Sequence, residues 1–129
     1  MATEYVGVTL DRRTASPADA RQQARTFLDT LARPLAGDAA EGVILAVSEL
    51  VTNALRHGGG SYALDLTSRP DGIEVAVHDR SPRPPRMRVP DLHGAGGGFG
   101  WPMVNRLAVS TRVTTVPGRG KTVHALLPR

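Results

Sequence analysis

The change in hydrophobic period along the chain is the feature that most limits its fold. From Ser16 to Gly58, apolar residues recur every three or four positions, which predicts two helices. The first begins at Ser16, a capping residue followed by proline and an early acid, and ends at Arg33-Pro34. The second opens at Asp38, with Glu41 three residues further on, and stops at the glycines that begin with Gly58.

Beyond Gly58 the period changes to two, which is typical of strands with one buried face. The predicted strands there are Tyr62–Thr67, Ile73–Val77, Val109–Val116 and Lys121–Leu127, with one short helix at Pro102–Leu107. A further strand, Tyr5–Leu10, is predicted before the two helices. This order favours an α+β fold, a two-layer sandwich of one mixed, mostly antiparallel sheet with helices on one face. At 129 residues, the chain has the length of a single domain.

Composition excludes several classes of site. There is no cysteine, so disulfide scaffolds, thiol nucleophiles and Cys-ligated zinc are excluded. The formal net charge is +4, but the arginines are spread from Arg12 to Arg129, which favours an Arg-rich surface over a nucleic-acid footprint. With no signal-peptide pattern and no membrane-spanning apolar run, we expect a cytoplasmic protein that contacts neither nucleic acid nor membrane directly.

A polar stripe runs along the second predicted helix. Glu49, Asn53 and His57 follow one another at a spacing of four, so they share one face. Such a stripe is usually only the solvated side of a helix. Asn is a poor helix former, however, and an amide oxygen beside a carboxylate can serve as a metal ligand beside a base. Both interpretations remain open from the residues alone.

Two further segments have both a structural and a chemical interpretation. Asp79 has the same strand parity as Ile73 and Val77, so its carboxylate should point to the buried side. It is either a turn-forming aspartate or an inward carboxylate that accepts from an amine such as that of a purine. The glycines from Gly94 to Gly100 precede a helix, where they form either a flexible loop or an anion cradle. No dinucleotide fingerprint, P-loop, nucleophile elbow or histidine metal spacing is complete.

Four segments, in this order, resemble the boxes of the GHKL (histidine kinase-like) ATP-binding family, in the form found in anti-sigma-factor serine/threonine kinases. Glu49–Gly58 (ELVTNALRHG) is similar to the N-box, and Asp79–Pro82 (DRSP) stands where the family has its G1 box. Gly98–Val104 (GFGWPMV) resembles the G2 box, and Gly118–Val123 (GRGKTV) the G3 box. The resemblance implies the family's Bergerat sandwich, in agreement with the order of elements.

The resemblance also implies roles for matching residues. Glu49 would be the catalytic general base, and Asn53 would bind Mg²⁺ bridging the phosphates of ATP. Asp79 would accept from the adenine amine, with Thr122 beside it. ATP and Mg²⁺ are therefore the implied cofactors.

The glycine-rich segment receives a role in the same way. Gly98 and Gly100 would approach the phosphates, residues 81–97 would form the ATP lid, and residues 1–15 an edge segment of the single domain 1–129. Further nucleotide-binding positions implied by the resemblance are His57, Ser81, Gly96, Trp101 and Lys121.

These features lead to one functional expectation and one alternative. The resemblance implies an ATP-dependent serine/threonine protein kinase that controls transcription by partner switching, binding a sigma factor and/or phosphorylating a small antagonist protein, and a homodimer. The alternative is a non-catalytic ATP-binding regulatory module that acts by nucleotide-dependent protein binding. The presence of Glu49 favours the kinase, because a pure binder does not need a carboxylate at that position.

Overall fold

The computed structural model describes residues 4–8, 16–57, 61–81 and 100–129, with only the backbone of the first segment. The helices are α1 (Pro17–Asp29), α2 (Gly37–His57) and α3 (Gly100–Leu107). The strands are β1 (Glu4–Val8), β2 (Ala63–Arg69), β3 (Gly72–Asp79), β4 (Ser110–Val116) and β5 (Gly120–Leu127). The predicted lid beyond residue 81 lies outside the described residues.

The five strands form one sheet in the order β1-β2-β3-β5-β4. Each of the four neighbouring pairs is antiparallel, so the described sheet has no parallel pair. A tight turn joins β2 to β3, because Arg69 and Gly72 are register partners across it. β5, the last strand in sequence, lies between β3 and β4.

The core lies between one face of this sheet and the helices. Ile73, Val75 and Val77 alternate along β3 and are almost completely buried, as the period of two predicts. They belong to one cluster with the apolar face of α2, which contacts β3 and β5. This arrangement confirms the predicted two-layer α+β sandwich.

The helix ends differ in part from the prediction. The predicted cap at Ser16 is confirmed, and it is part of a capping box: Ser16 Oγ accepts from the Asp19 amide at 3.2 Å, and Asp19 Oδ2 accepts from the Ser16 amide at 2.8 Å. The predicted end at Arg33-Pro34 is wrong: α1 stops at Asp29, and Thr30 donates to the Phe27 carbonyl through its amide and its hydroxyl.

The starts of the other two helices also differ. α2 begins at Gly37, so Asp38 lies within its first turn instead of capping it. α3 begins at Gly100, ahead of the predicted start at Pro102. Proline is tolerated in this first turn because the first amides of a helix have no intrahelical acceptor, so no hydrogen bond is lost.

A titratable group on the outer face of the sheet, the imidazole of His124, gives a prediction for pH. Burial and then the Arg112 guanidinium lower the pKa of His124 below its ordinary value of 6.5, while Glu74 opposes them. The unfolded chain therefore binds this proton more tightly, so stability present above about pH 6.5 is lost as the pH falls towards the folded-state pKa. We expect thermal melting between pH 7.5 and 5 to show a shallower decline for His124→Gln than for the parent. Parallel profiles would contradict this assignment.

Candidate functional site

The stripe of α2 meets the start of α3. Glu49 and Asn53 are half-buried, and His57, the last residue of α2, is exposed. A Cβ atom placed on Gly100 would lie 2.6 Å from Glu49 Oε2 and 3.7 Å from Asn53 Oδ1. A side chain at this position would therefore displace the Glu49 carboxylate, so glycine lets α3 begin close to it and brings the N-box and G2 residues together.

Packing fixes the position of α3 beside α2. Val104 is fully buried, and the half-buried Trp101 packs against the core cluster. The Asn105 amide donates to the Trp101 carbonyl at 2.9 Å and accepts from the Thr111 hydroxyl of β4 at 2.7 Å. The helix start, where backbone amides carry partial positive charge, is thus held against Glu49 and Asn53.

The second part of the site is a buried ion pair at the end of β3. Asp79 and Lys121 are register partners and are only 4% and 5% exposed. Lys121 Nζ donates to both carboxylate oxygens of Asp79 at 2.9 Å. The Ser81 amide donates to Asp79 Oδ1 at 2.9 Å, and the Ser81 carbonyl lies 3.4 Å from Lys121 Nζ. Asp79 therefore points inward, as its parity predicted, and its charge is compensated within the chain.

Gly120 brings the G3 segment against the end of β3. Its φ is +89°, a conformation that favours glycine, and a Cβ there would lie 2.0 Å from the Asp79 carbonyl oxygen. The glycine thus sets the register that pairs Lys121 with Asp79.

Thr122 is not beside Asp79, so that prediction is wrong. Side chains alternate along a strand, and Thr122 lies on the opposite face, where its hydroxyl is 3.0 Å from His78 Nδ1. Lys121 takes the place next to Asp79. The ion pair itself was missed from the sequence, although the cross-strand register of β3 and β5 would have revealed it. Gly96 and Gly98 lie outside the described residues.

The described residues contain limited means of holding a metal. No group of three or more His, Cys, Asp or Glu side chains in the described segments is placed to hold an ion. The Asn53 amide oxygen, beside the Glu49 carboxylate, is a hard ligand suited to Mg²⁺ shared with a phosphate ligand. Within the same segments, no helix has the length and apolarity needed to cross a membrane.

The family model of the histidine kinase-like ATPase domain matches residues 13–126. The chain therefore belongs to the histidine kinase-like ATPase domain family. No curated protein matches it by sequence.

Two solved structures share its fold. The crystal structure of the RsbU and RsbW domains of Rv1364c from Mycobacterium tuberculosis matches with a TM-score of 0.68 and 19% identity, over 99% of this chain and 32% of that one. The histidine kinase domain of the blue-light activated histidine kinase EL346 from Erythrobacter litoralis matches with a TM-score of 0.55 and 20% identity, over 99% of this chain and 68% of that one. The chain thus spans about a third of the length of the first structure.

Proposed function

We propose that this chain is an ATP-dependent serine/threonine protein kinase of the anti-sigma-factor type. The observation that carries the proposal is the juxtaposition of the Glu49 carboxylate, the Asn53 amide oxygen and Gly100. A pure nucleotide binder does not need a carboxylate beside the metal ligand. A phosphotransfer enzyme needs one to accept the proton of the attacking hydroxyl.

Each residue of this cluster has a distinct task in the proposal. The Asn53 amide oxygen would hold Mg²⁺, which when bound neutralises phosphate charge. Gly100, with no side chain, leaves the start of α3 close to the α2 carboxylate. Glu49 takes the proton of the acceptor hydroxyl. The hydroxyl oxygen forms a bond to the γ-phosphorus, and the bond between the γ-phosphorus and the oxygen that bridges to the β-phosphate breaks, leaving ADP.

Asp79 is the proposed acceptor for the amine of the nucleotide base. It is buried and ionically paired at the end of β3, where its Oδ2 accepts, within the described segments, from Lys121 alone. An ionised carboxylate oxygen accepts about two hydrogen bonds, so Oδ2 has capacity for a base amine as well.

The proposed partners are a sigma factor and a small antagonist protein that carries the acceptor hydroxyl, and we propose a homodimeric, cytoplasmic protein. The fold shared with a structure that contains an RsbW domain supports a partner-switching role. The test for transfer is incubation with γ-labelled ATP and lysate of the source organism. We expect label on one small protein as phosphoserine or phosphothreonine. ATP binding without transfer would favour the non-catalytic regulatory module.

Binding of ATP itself is expected to change the emission of Trp101. This residue is the only tryptophan and directly follows Gly100 at the start of α3, so a ligand beside Glu49 and Asn53 alters its surroundings. Titration with Mg-ATP is expected to change the fluorescence, with heat in calorimetry and micromolar affinity. Trp101→Phe is the control, which should lose the optical signal and keep the heat. Absence of both signals at millimolar nucleotide would contradict the proposal.

A further inference from the structure

The only lysine of the chain is buried against the proposed base acceptor. Of the 16 basic residues, the other 15 are arginines, whereas Lys121 is 5% exposed with its ammonium 2.9 Å from both oxygens of Asp79. Lysine is almost never fully buried unless it is paired. The Lys121 ammonium and the Asp79 carboxylate therefore form one buried polar pair.

The hydrogen bonds of the pair leave one acceptor and one donor side by side. Asp79 Oδ1 accepts from the Ser81 amide and from Lys121, while Oδ2 accepts, among the described residues, from Lys121 alone. The remaining contact of Lys121 Nζ, to the Ser81 carbonyl, is long at 3.4 Å. A ligand that reaches the pair would therefore donate to Oδ2 and compete for that third ammonium proton.

This donor changes which purines fit. A lone carboxylate accepts the N6 amine of adenine but repels the O6 oxygen of guanine, because both are acceptors. With the ammonium present, O6 of a 6-oxopurine accepts from Lys121 while its N1–H donates to Asp79 Oδ2. Adenine uses the same two groups, with its amine on Oδ2 and N1 on Lys121.

We propose that Lys121 is a specificity-determining residue and that the site binds 6-oxopurine nucleotides, GTP and ITP, as well as ATP. The proposal rests on the proposed nucleotide site. It extends the ligand class to bases that present an oxygen at position 6.

The first test is calorimetry of the full chain with the Mg²⁺ complexes of ATP, GTP and ITP. We expect GTP and ITP to bind within about tenfold of ATP, the range of one imperfect buried hydrogen bond. ATP binding with GTP and ITP both more than 100-fold weaker would overturn the inference and leave the proposed function intact. Absence of binding by all three would overturn the proposed function itself.

The second test assigns the effect to Lys121. Lys121→Thr removes the donor and is expected to raise the ratio of the GTP to the ATP dissociation constant roughly 10- to 100-fold, the cost of an unpaired buried acceptor. Lys121→Arg keeps a cationic donor and should leave the ratio near that of the parent. An unchanged ratio in folded Lys121→Thr would overturn the assignment. If this variant does not fold, the parent measurements decide.

Discussion

Glu49→Gln is expected to lower transfer of the ATP γ-phosphate to protein by roughly 10²–10⁴-fold, the contribution of a general base. The amide has nearly the same size and shape as the carboxylate but cannot take a proton from the acceptor hydroxyl. The variant keeps the Asn53 amide oxygen and leaves the start of α3 at Gly100 close to residue 49, so the affinity for ATP should change little. Labelled-phosphate transfer and calorimetry on the same preparations measure the two quantities separately.

Glu41→Gln is the matched control for this variant. It makes the same chemical change on the same helix, but Glu41 is exposed and pairs with Arg25 at 3.5 Å. Exposed ion pairs contribute little to stability, so we expect transfer and binding equal to the parent. If Glu49→Gln abolishes binding as well as transfer, Glu49 has a structural or metal-holding role, and the assignment as base is incorrect.

Gly120→Ala is expected to have the largest effect on stability. The left-handed conformation costs an L-residue about 1–2 kcal/mol. The new Cβ would also lie 2.0 Å from the Asp79 carbonyl oxygen and 2.7 Å from Arg80 Cα, which are backbone atoms with little freedom to move. Adding the cost of overpacking, we expect a loss of roughly 2–5 kcal/mol in the free energy of unfolding.

Gly118→Ala provides an internal comparison in the same turn. Its φ is +77°, close to that of Gly120, but its Cβ would meet nothing within 4 Å. It should therefore show only the conformational cost of about 1–2 kcal/mol. Urea denaturation of both variants separates the close approach from the backbone conformation. Equal losses would show that Gly120 does not hold the G3 turn against β3 as described.

Much of the fold was predictable because hydrophobic period reports directly on burial. The alternation of Ile73, Val75 and Val77 predicted the buried face of β3, and its continuation placed Asp79 inward. The end of α1 was not predictable from the hydrophobic period, because it depends on the hydrogen bond that the Thr30 hydroxyl donates to the Phe27 carbonyl.

The candidate site was predictable only where its residues share one element. Glu49 and Asn53 lie on one helix, so their spacing alone placed them together. Asp79 and Lys121 are 42 residues apart in sequence, and their pairing depends on the register of two strands, which local pattern does not contain. Proximity of Gly100 to Glu49 likewise depends on how α3 packs on α2.

The place of β5 inside the sheet has a consequence for synthesis on the ribosome. A nascent chain that has emerged only to Asp79 contains the β2–β3 hairpin, but among the described strands β3 gains a neighbour on its other edge only when β5 follows. At about 5–20 residues per second, this edge remains unpaired for seconds while β4 and β5 are made. An unpaired apolar edge is a template for association with other chains. Synthesis from the N-terminus therefore leaves the inner edge of β3 exposed until β5 is made. Asp79 likewise lacks its counter-ion until Lys121 of β5 has been added.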